Sequence, residues 1–281
     1  MPELPEVEVI SRGLAPHLEG HRLTRVLFGS KRLRLPMPDK KQTALLVGKT
    51  ICKVERRAKY IVVSLENSTI MIIHLGMTGR LGIFPAKAAL ATHDHGRWLL
   101  DNNLELRYND TRRFGAIQVL GPNDDLDRFF AGSGPDPFWE AYSAKYLEKL
   151  AANRSLPVKN FLMDNRVVTG IGNIYASETL FMAGINPITP VRKLSRANWQ
   201  MIVDKSREVL KDAIRCGGTT IADYVNSSGQ KGYFQTRLLV YGRTGQPCSV
   251  CGNPVCKITL GGRASFFCPV CQPALDKTPS E

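Results

Sequence analysis

The sequence has no long apolar run and far fewer acidic than basic residues. No stretch approaches the roughly 20 apolar residues of a membrane-spanning helix. The first residues lack the basic segment and apolar core of a signal peptide, so we expect neither membrane association nor secretion. Aspartate and glutamate number 25 against 38 lysines and arginines, a net charge of +13. That excess predicts a polyanionic partner, most simply nucleic acid.

Cysteine is also sparse: the sequence has seven cysteines, an odd number. An odd count without a signal peptide argues against a secreted disulfide framework. Four copies follow the pattern Cys248-x2-Cys251-x16-Cys268-x2-Cys271. Two such knuckles, a hairpin's length apart, present four thiolates to one tetrahedral Zn²⁺. Four protein ligands close the coordination shell, which predicts a structural zinc, and Cys256 lies outside the pattern.

Short segments rich in β-branched residues fill the first half of the chain. Residues 104–108 alternate apolar and charged side chains and predict a half-buried strand after a turn at Asn102-Asn103. Cys52 alternates with Val54, which predicts a buried small side chain at that position, and the basic, proline-containing stretch 30–45 predicts a loop. Many strands without intervening helices indicate an antiparallel sandwich or barrel. The predicted strands are 22–28, 51–56, 60–65, 69–75, 97–101, 104–108 and 115–120.

After the first half the periodicity becomes helical. Residues 142–151 and 196–214 predict amphipathic helices, the second with Ser195 as its N-cap. Its expected buried stripe is Trp199, Ile202, Val209 and Ala213. The fold class is therefore α+β, with an N-terminal antiparallel β-sandwich flanked by helices. The predicted domains are residues 1–132, a linker at 133–138, a helical region at 139–235 and a zinc finger at 236–275.

The chain start carries chemistry of its own. Removal of Met1 would leave Pro2 as a secondary amine, and a chain-terminal amine titrates near pH 8. Such an amine attacks carbonyl carbons to form a Schiff base. Glu3 and Glu6 share one face of a helix that runs through about Ala15, and they could move protons for the amine. The alternative is ordinary helix-entry chemistry, in which proline and glutamate simply begin a helix.

Other motifs are less specific alone. His93-Asp94-His95 could bind a metal, but with no third ligand nearby we expect structural or DNA-facing histidines. Arg112-Arg113-Phe114 places guanidiniums beside a ring that could insert into a base stack, or is a solvated pair beside a core phenylalanine. The glycine turn 170–173 leads into a helix and could bind phosphate. Residues 227–232 could form a lid over a pocket, or a plain surface loop.

Together these motifs resemble the bacterial formamidopyrimidine-DNA glycosylases, nearly from end to end. The resemblance is carried by Pro2-Glu3-Leu4-Pro5-Glu6-Val7-Glu8, Arg57-Ala58-Lys59-Tyr60, His74-Leu75-Gly76-Met77-Thr78-Gly79, His93-Asp94-His95, Asp110-Thr111-Arg112-Arg113-Phe114-Gly115, the segment 170–178 and the cysteine knuckles with Gly261-Gly262-Arg263. It implies a β-sandwich, a helix-two-turn-helix region and a zinc finger.

The resemblance also implies an activity and its residues. The enzyme would be a DNA-formamidopyrimidine glycosylase and abasic-site lyase of base excision repair, acting on flipped 8-oxoguanine or ring-opened purines. Pro2 would be the nucleophile, Glu3 the acid/base with Glu6 in support, and Lys59 and Arg263 would assist the β,δ-elimination that cuts the strand. The implied DNA contacts are His74, Met77, His93, Arg112, Phe114, Arg154, Lys159 and Asn173.

The same resemblance implies a monomer that acts on damaged double-stranded DNA in the bacterial cytoplasm, at the nucleoid. Two alternatives stay open from the residues themselves. One is a related glycosylase for oxidised pyrimidines, against which the opening Pro2-Glu3-Leu4-Pro5 speaks. The other is a non-catalytic, zinc-dependent DNA-binding protein, against which the joint presence of Pro2, Glu3 and Lys59 speaks.

Overall fold

The computed structural model describes residues 2–218 and 238–274. The expected lid at 227–232 and the last residues of the chain lie outside these ranges. The described residues form two compact units, one from residues 2–131 with 216–218 and the other from 132–215 with 238–274. No helix in these ranges is long and apolar enough to cross a membrane.

The first unit is a sandwich of two four-stranded antiparallel sheets. One sheet has the order β1-β6-β7-β5 and the other β2-β3-β4-β8. Helix α1, Leu4–Leu18, packs against β2 and β3. The strands are β1 Leu23–Phe28, β2 Ile51–Arg57, β3 Tyr60–Leu65, β4 Ile70–His74, β5 Gly79–Pro85, β6 Asp94–Leu100, β7 Leu104–Asp110 and β8 Ala116–Leu120.

The core of this unit follows from the strand pattern and one helix face. Val7, Ile10 and Leu14 are buried at helical spacing and meet the inward side chains of both sheets. Trp98 of β6 is fully buried, with the ring of Phe28 against it edge-on at 5.7 Å. Burying each large apolar side chain contributes about 1.5–3 kcal/mol, so the packed layer between the sheets holds the sandwich together.

Every strand predicted in this half is present, but β5 was missed. Gly79, Gly82 and Pro85 lie within it, and such residues weaken a strand signal. They are tolerated because β5 is the edge strand of its sheet, next to β7 only. The expected loop 30–45 also contains a short helix, α2, Lys40–Ala44, which Asp39 caps by accepting a hydrogen bond from the Gln42 amide.

Two burial predictions were wrong. Cys52 is exposed, because an irregularity in the β2–β3 register between Ile51 and Lys53 turns it away from the core. Strand β7 is buried on both faces rather than one. Glu105 and Arg107 are 3% and 2% exposed and form an ion pair at 2.6 Å, so the charges are buried together.

The second unit is mostly helical. Its helices are α4 Ala144–Ala151, α5 Val158–Leu162, α6 Asn173–Met182 and α7 Arg196–Arg215, whereas the short α3, Leu126–Phe130, belongs to the first unit. The predicted N-cap of α7 is confirmed, since the Asn198 amide donates to Ser195 Oγ at 3.2 Å. All members of the predicted buried stripe are buried: Trp199, Ile202, Val209 and Ala213.

A zinc-finger hairpin completes this unit. Strands β9, Cys256–Leu260, and β10, Arg263–Phe267, pair antiparallel around a turn at Gly261-Gly262. Both glycines have positive φ, 53° and 72°. A two-residue hairpin turn of this type requires that conformation, so the sequence Gly-Gly determines where the hairpin folds back and therefore where Arg263 begins β10.

Candidate active site and nucleic-acid interface

The first helix begins immediately after Pro2. Glu3 is the N-cap of α1 and is only 3% exposed. The carboxylate of Glu6, 4% exposed, accepts a hydrogen bond from the Glu3 amide at 2.8 Å. That amide belongs to the peptide bond that joins Pro2 to Glu3, so Glu6 holds the chain three covalent bonds away from the proline nitrogen. Glu3 and Glu6 therefore begin the helix in the ordinary way and also hold the backbone next to Pro2, so the two interpretations of these residues do not exclude each other.

Glu8 and Arg56 link this helix to the next candidate residue. Arg56 Nε lies 2.6 Å from Glu8 Oε2, and both side chains are largely buried, at 8% and 17% exposed. The same guanidinium donates to the carbonyl oxygen of Ala58 at 3.1 Å. Neither residue was singled out from the sequence. A glutamate on a helix and an arginine on a strand carry no local signal that they meet.

Lys59 lies in the two-residue turn between β2 and β3, where Arg57 and Tyr60 are the last paired residues. Ala58, the first residue of the turn, has φ +57°, a left-handed conformation that costs an L-residue about 1–2 kcal/mol. Lys59 is 8% exposed. Its aliphatic stem is therefore packed, and the turn that carries it is supported by Arg56 beneath Ala58.

His74 is the last residue of β4 and pairs with Tyr60 of β3. Its Nδ1 accepts a hydrogen bond from the Gly76 amide at 3.1 Å. An amide can only donate, so the ring proton of neutral His74 is on Nε2. Burial, together with the charges of Arg34 and Lys59 and against the opposing effect of Asp110, lowers the pKa of His74 to about 4. His74 is thus a neutral N–H donor at physiological pH.

Met77, Arg112 and Phe114 lie on two neighbouring connections between the sheets. Residues 75–78 join β4 to β5, and residues 111–115 join β7 to β8; we call these segments the insertion loops. Met77 is 38% exposed and Phe114 is 45% exposed. The Arg112 guanidinium lies 4.6 Å from the centroid of the Phe114 ring. The structure therefore brings these predicted contacts together and presents large apolar groups outward.

His93 precedes β6 in a loop that buried side chains hold. Arg107 donates to the carbonyls of Ala88 and Ala89 at 2.8 and 2.7 Å, and Asn109 donates to that of Thr92 at 2.8 Å. His93 itself has φ +76°. His95 is buried and its Nε2 lies 3.1 Å from the Asp110 carbonyl. The two histidines thus have different surroundings, and His95 is structural.

In the second unit, Lys159 joins helix α6 to the zinc finger. It is 1% exposed, and its ammonium donates to Asn173 Oδ1 at 2.6 Å, to the Ala264 carbonyl at 2.9 Å and to Ser265 Oγ at 2.7 Å. Asn173 is the first residue of α6. Arg263 is exposed beside the two β10 residues that Lys159 binds. One buried ammonium therefore fixes the positions of Asn173 and Arg263 relative to each other.

Arg154 lies apart from that network. It is exposed just after α4, and its guanidinium lies 5.7 Å from the centroid of the Phe161 ring. Its backbone amide donates to Ala151 at 2.9 Å. The side chain is presented to solvent on a short connection, where a phosphate contact remains a prediction.

The four predicted cysteine ligands form one cluster. Their sulfur atoms all lie within 4.8 Å of one another, with Cys251 and Cys268 separated by 3.4 Å and Cys248 and Cys271 by 3.8 Å. Tetrahedral zinc with bonds of about 2.3 Å places its sulfur ligands about 3.8 Å apart. Amides of Val250 and Cys271 point at Cys248 and Cys268 sulfurs at 3.5 Å. The site fits one structural zinc with Cys256 excluded.

Comparison with protein families decides the relationship. Residues 1–117 match the formamidopyrimidine-DNA glycosylase N-terminal domain, residues 133–225 the H2TH domain of the same enzymes, and residues 245–274 the zinc finger found in FPG and IleRS. The chain belongs to the formamidopyrimidine-DNA glycosylase family. Zinc in the cysteine cluster and an α+β fold with H2TH and zinc-finger regions agree with this assignment.

Individual relatives of this glycosylase match it over nearly its whole length. The formamidopyrimidine-DNA glycosylase of Hahella chejuensis is 44% identical over 272 residues, covering 97% of this chain and 100% of that protein. That of Pseudomonas putida strain F1 is 46% identical over 273 residues with the same coverage.

Solved structures of the Lactococcus lactis enzyme are also similar. A variant bound to DNA containing Fapy-dG has a TM-score of 0.89 at 32% identity, covering 97% of this chain and 100% of that one. A complex between the Lactococcus lactis enzyme and DNA that contains an abasic site has a TM-score of 0.88 at 32% identity, covering 96% of this chain and 99% of that one. A complex with DNA that contains an oxidised pyrimidine has a TM-score of 0.87.

Proposed function

We propose that this glycosylase excises 8-oxoguanine and ring-opened purines from duplex DNA through a Schiff base at Pro2 and then cuts the strand. The observation that carries the assignment of Pro2 is the hydrogen bond of 2.8 Å by which Glu6 holds the next amide, that of Glu3, within the matched glycosylase N-terminal domain. Removal of Met1 turns this held nitrogen into a secondary amine, which is nucleophilic in its neutral form.

The amine attacks the anomeric carbon of the damaged nucleotide, and the base leaves with its bonding electrons and a proton. The amine loses its N–H proton, the C1′–O4′ bond of the sugar breaks with a proton going to O4′, and the product is a cationic iminium on the opened sugar. The iminium withdraws electrons and acidifies C2′, so a base removes a C2′ proton, the C3′–O bond breaks, and the 3′-phosphate leaves with the bonding electrons. Glu3 is held next to the nucleophile by the chain itself and moves protons at the sugar. Its burial to 3% exposed keeps this carboxyl inside the protein rather than in bulk water.

Lys59 and Arg263 are assigned to phosphates at the reacting nucleotide. Lys59 is carried by the turn that Arg56 supports, and Arg263 by the hairpin that Lys159 supports. Cations at these oxygens stabilise the charge that grows on the leaving phosphates. The neutral Nε2–H of His74 serves as a fixed donor, and His93, Arg154 and Asn173 supply further contacts. We assign to Lys159, which is buried, the role of orienting Asn173 at the interface.

The insertion loops fill the space that the extruded base leaves. Met77 and Phe114 are exposed apolar side chains, and Arg112 stacks on the Phe114 ring at 4.6 Å. Inserted side chains compensate the few kcal/mol that unstacking a base costs. The net charge of +13 supports a grip made largely through phosphates, whose strength falls with salt.

We further propose that one copy of the chain acts alone, in the cytoplasm at the bacterial nucleoid. A single lesion occupies one nucleophile, and the proposed nucleophile and its supporting residues all come from one chain. Sedimentation of the protein with and without a lesion duplex measures the stoichiometry, and a complex of two chains per lesion would contradict this part.

Borohydride reduction on duplex DNA with 8-oxoguanine opposite cytosine tests the central assignment. The adduct should map to the N-terminal residue, and Glu3→Gln should lose base excision while still cleaving a preformed abasic site. Pro2→Gly should still trap, because it keeps an α-amine, but more weakly than the wild type. Glu140→Gln, a matched change at an exposed glutamate, is the control. An adduct on Lys59 would overturn the assignment of Pro2, and faster excision of an oxidised pyrimidine would overturn the assigned lesion class.

A further inference from the structure

We infer that Thr78 and Asp110 are positioning residues that hold the two insertion loops as one unit. The inference rests on the proposed function, because the loops matter only if Met77, Arg112 and Phe114 enter the duplex. Neither Thr78 nor Asp110 has an exposed side chain that would itself contact DNA. Thr78 ends the first insertion loop and Asp110 directly precedes the second, and the contact between them indicates the role.

The sandwich topology places the two loops side by side. Each loop passes from one sheet to the other, in opposite directions. Strand pairing sets Gly79 opposite Asp110 in one sheet and His74 opposite Ala116 in the other. Both ends of both loops are therefore tied to a ladder. Gly76 lies so close to the other loop that an added Cβ would be 2.4 Å from the Phe114 carbonyl carbon.

The Asp110 carboxylate accepts hydrogen bonds from both loops. It is 0% exposed. One oxygen accepts from the Thr78 hydroxyl at 2.5 Å, and the other accepts from the Gly115 amide at 2.9 Å and the Tyr108 hydroxyl at 3.2 Å. A buried carboxylate is stable only when such donors satisfy it. Its position between the loops therefore depends on both of them.

Thr78 completes the connection from the other side. While its hydroxyl donates to Asp110, its oxygen accepts from the Arg112 amide at 3.1 Å. One hydroxyl thus fixes the residue next to Met77 and the backbone of Arg112 at once. The Arg113 amide donates to the Asp110 carbonyl at 3.3 Å, with Arg113 at φ +56°. These bonds turn the chain so that Arg112 and Phe114 point outward together.

The consequence is that the loops enter a base stack as a preformed wedge. Holding contact groups in one conformation before binding reduces the entropy that association costs. Removing the Thr78 hydroxyl should uncouple the loops without changing any group that contacts DNA. It should therefore slow the steps that require an extruded base more than the steps that do not.

Amide hydrogen exchange and matched substrates test the inference. Thr78→Val removes the hydroxyl at constant shape, Thr78→Ala removes it without a branched replacement, and Thr78→Ser keeps it. Thr24→Val is the control, because Thr24 on β1 loses only a bond to the Leu99 carbonyl. In free protein, exchange across 111–115 should rise by about tenfold in the first two variants, because the hydroxyl's bonds to Asp110 and Arg112 are both lost and each hydrogen bond makes a modest net contribution. Thr78→Ser and Thr24→Val should match the wild type.

On DNA, Thr78→Val should lose about tenfold in excision of 8-oxoguanine opposite cytosine, again the combined effect of the hydroxyl's two hydrogen bonds. Cleavage of a preformed abasic site, which has no base to extrude, should change little. Unchanged exchange, an effect in the valine variant alone, or equal losses on both substrates would each overturn the inference. Phe114→Ala is run in parallel. If it excises normally, the proposed wedge function fails, while the exchange data still decide whether Thr78 holds the loops.

Discussion

Arg56 donates to the carboxylate of Glu8 at 2.6 Å and to the Ala58 carbonyl at 3.1 Å, which links the helix behind Pro2 to the turn that carries Lys59. Glu8 also pairs with Arg12 at 2.7 Å, but Arg12 is 68% exposed and Arg56 only 8%. One carboxylate thus has a buried and an exposed partner. The difference in burial makes the two arginines a matched pair of positions for substitution.

We expect Arg56→Gln to destabilise the protein by about 1–3 kcal/mol, because the partly buried Glu8 carboxylate loses its buried partner and keeps only the exposed Arg12. Arg12→Gln should cost less than about 0.5 kcal/mol, as exposed i,i+4 pairs do. Urea unfolding measures both values. Borohydride trapping should also slow in Arg56→Gln, since Lys59 loses its support. Equal effects at the two positions would contradict the proposed link.

Ala58 has a left-handed backbone conformation, which larger and β-branched side chains adopt poorly. At φ +57°, Ala58→Val should lower stability by about 2 kcal/mol and disturb Lys59, because a β-branched residue fits the left-handed region poorly. Ala58→Gly relieves the strain but gains unfolded-state entropy, so it should change stability by no more than about 1 kcal/mol. Thermal unfolding separates the two. A valine variant as stable as the wild type would mean that the turn has another conformation.

His74 should make stability depend on pH. Its pKa is lowered to about 4 in the folded protein, against about 6.5 in the unfolded chain. The unfolded chain therefore binds the proton first as pH falls from 6.5 to 4, and stability is lost across that window at up to about 1.4 kcal/mol per pH unit. His74→Gln should lack this component. Urea unfolding at pH 7 and pH 5 checks it: the stability difference between the two pH values should be smaller in the variant.

Zinc should be required for the structure of the zinc finger and not for the reactivity of the Pro2 nucleophile. Cys251→Ser removes one of the four thiolates and should lower zinc content and weaken DNA binding. Borohydride trapping at saturating abasic-site DNA should persist, because Pro2 is in the other unit. Cys256→Ser is the matched control, since Cys256 lies outside the cluster. Metal analysis and a binding titration decide it, and full zinc occupancy in Cys251→Ser would contradict the ligand assignment.

Local signals in the sequence determined much of this protein. The spacing of Cys248, Cys251, Cys268 and Cys271 sufficed for the zinc cluster, because both knuckles lie close together along the chain. Alternation and helical periodicity predicted the strands of the sandwich other than β5, and helix α7 with its cap at Ser195. These features depend on residues within a few positions of one another, and the periods of strand and helix differ enough to be read directly.

Long-range partnerships were decided only by the tertiary structure. Nothing near Asp110 in sequence indicates that its carboxylate meets Thr78, 32 positions away. The alternation at Glu105 and Arg107 predicted solvent exposure, yet Arg107 binds the Ala88 and Ala89 carbonyls before His93, and Glu105 pairs with Arg107. Cys52 is exposed because an irregularity in the β2–β3 register after Ile51 changes which side chains of β2 face the core. Periodicity records which face of a strand is apolar, whereas burial of a charge depends on which distant segment packs over it.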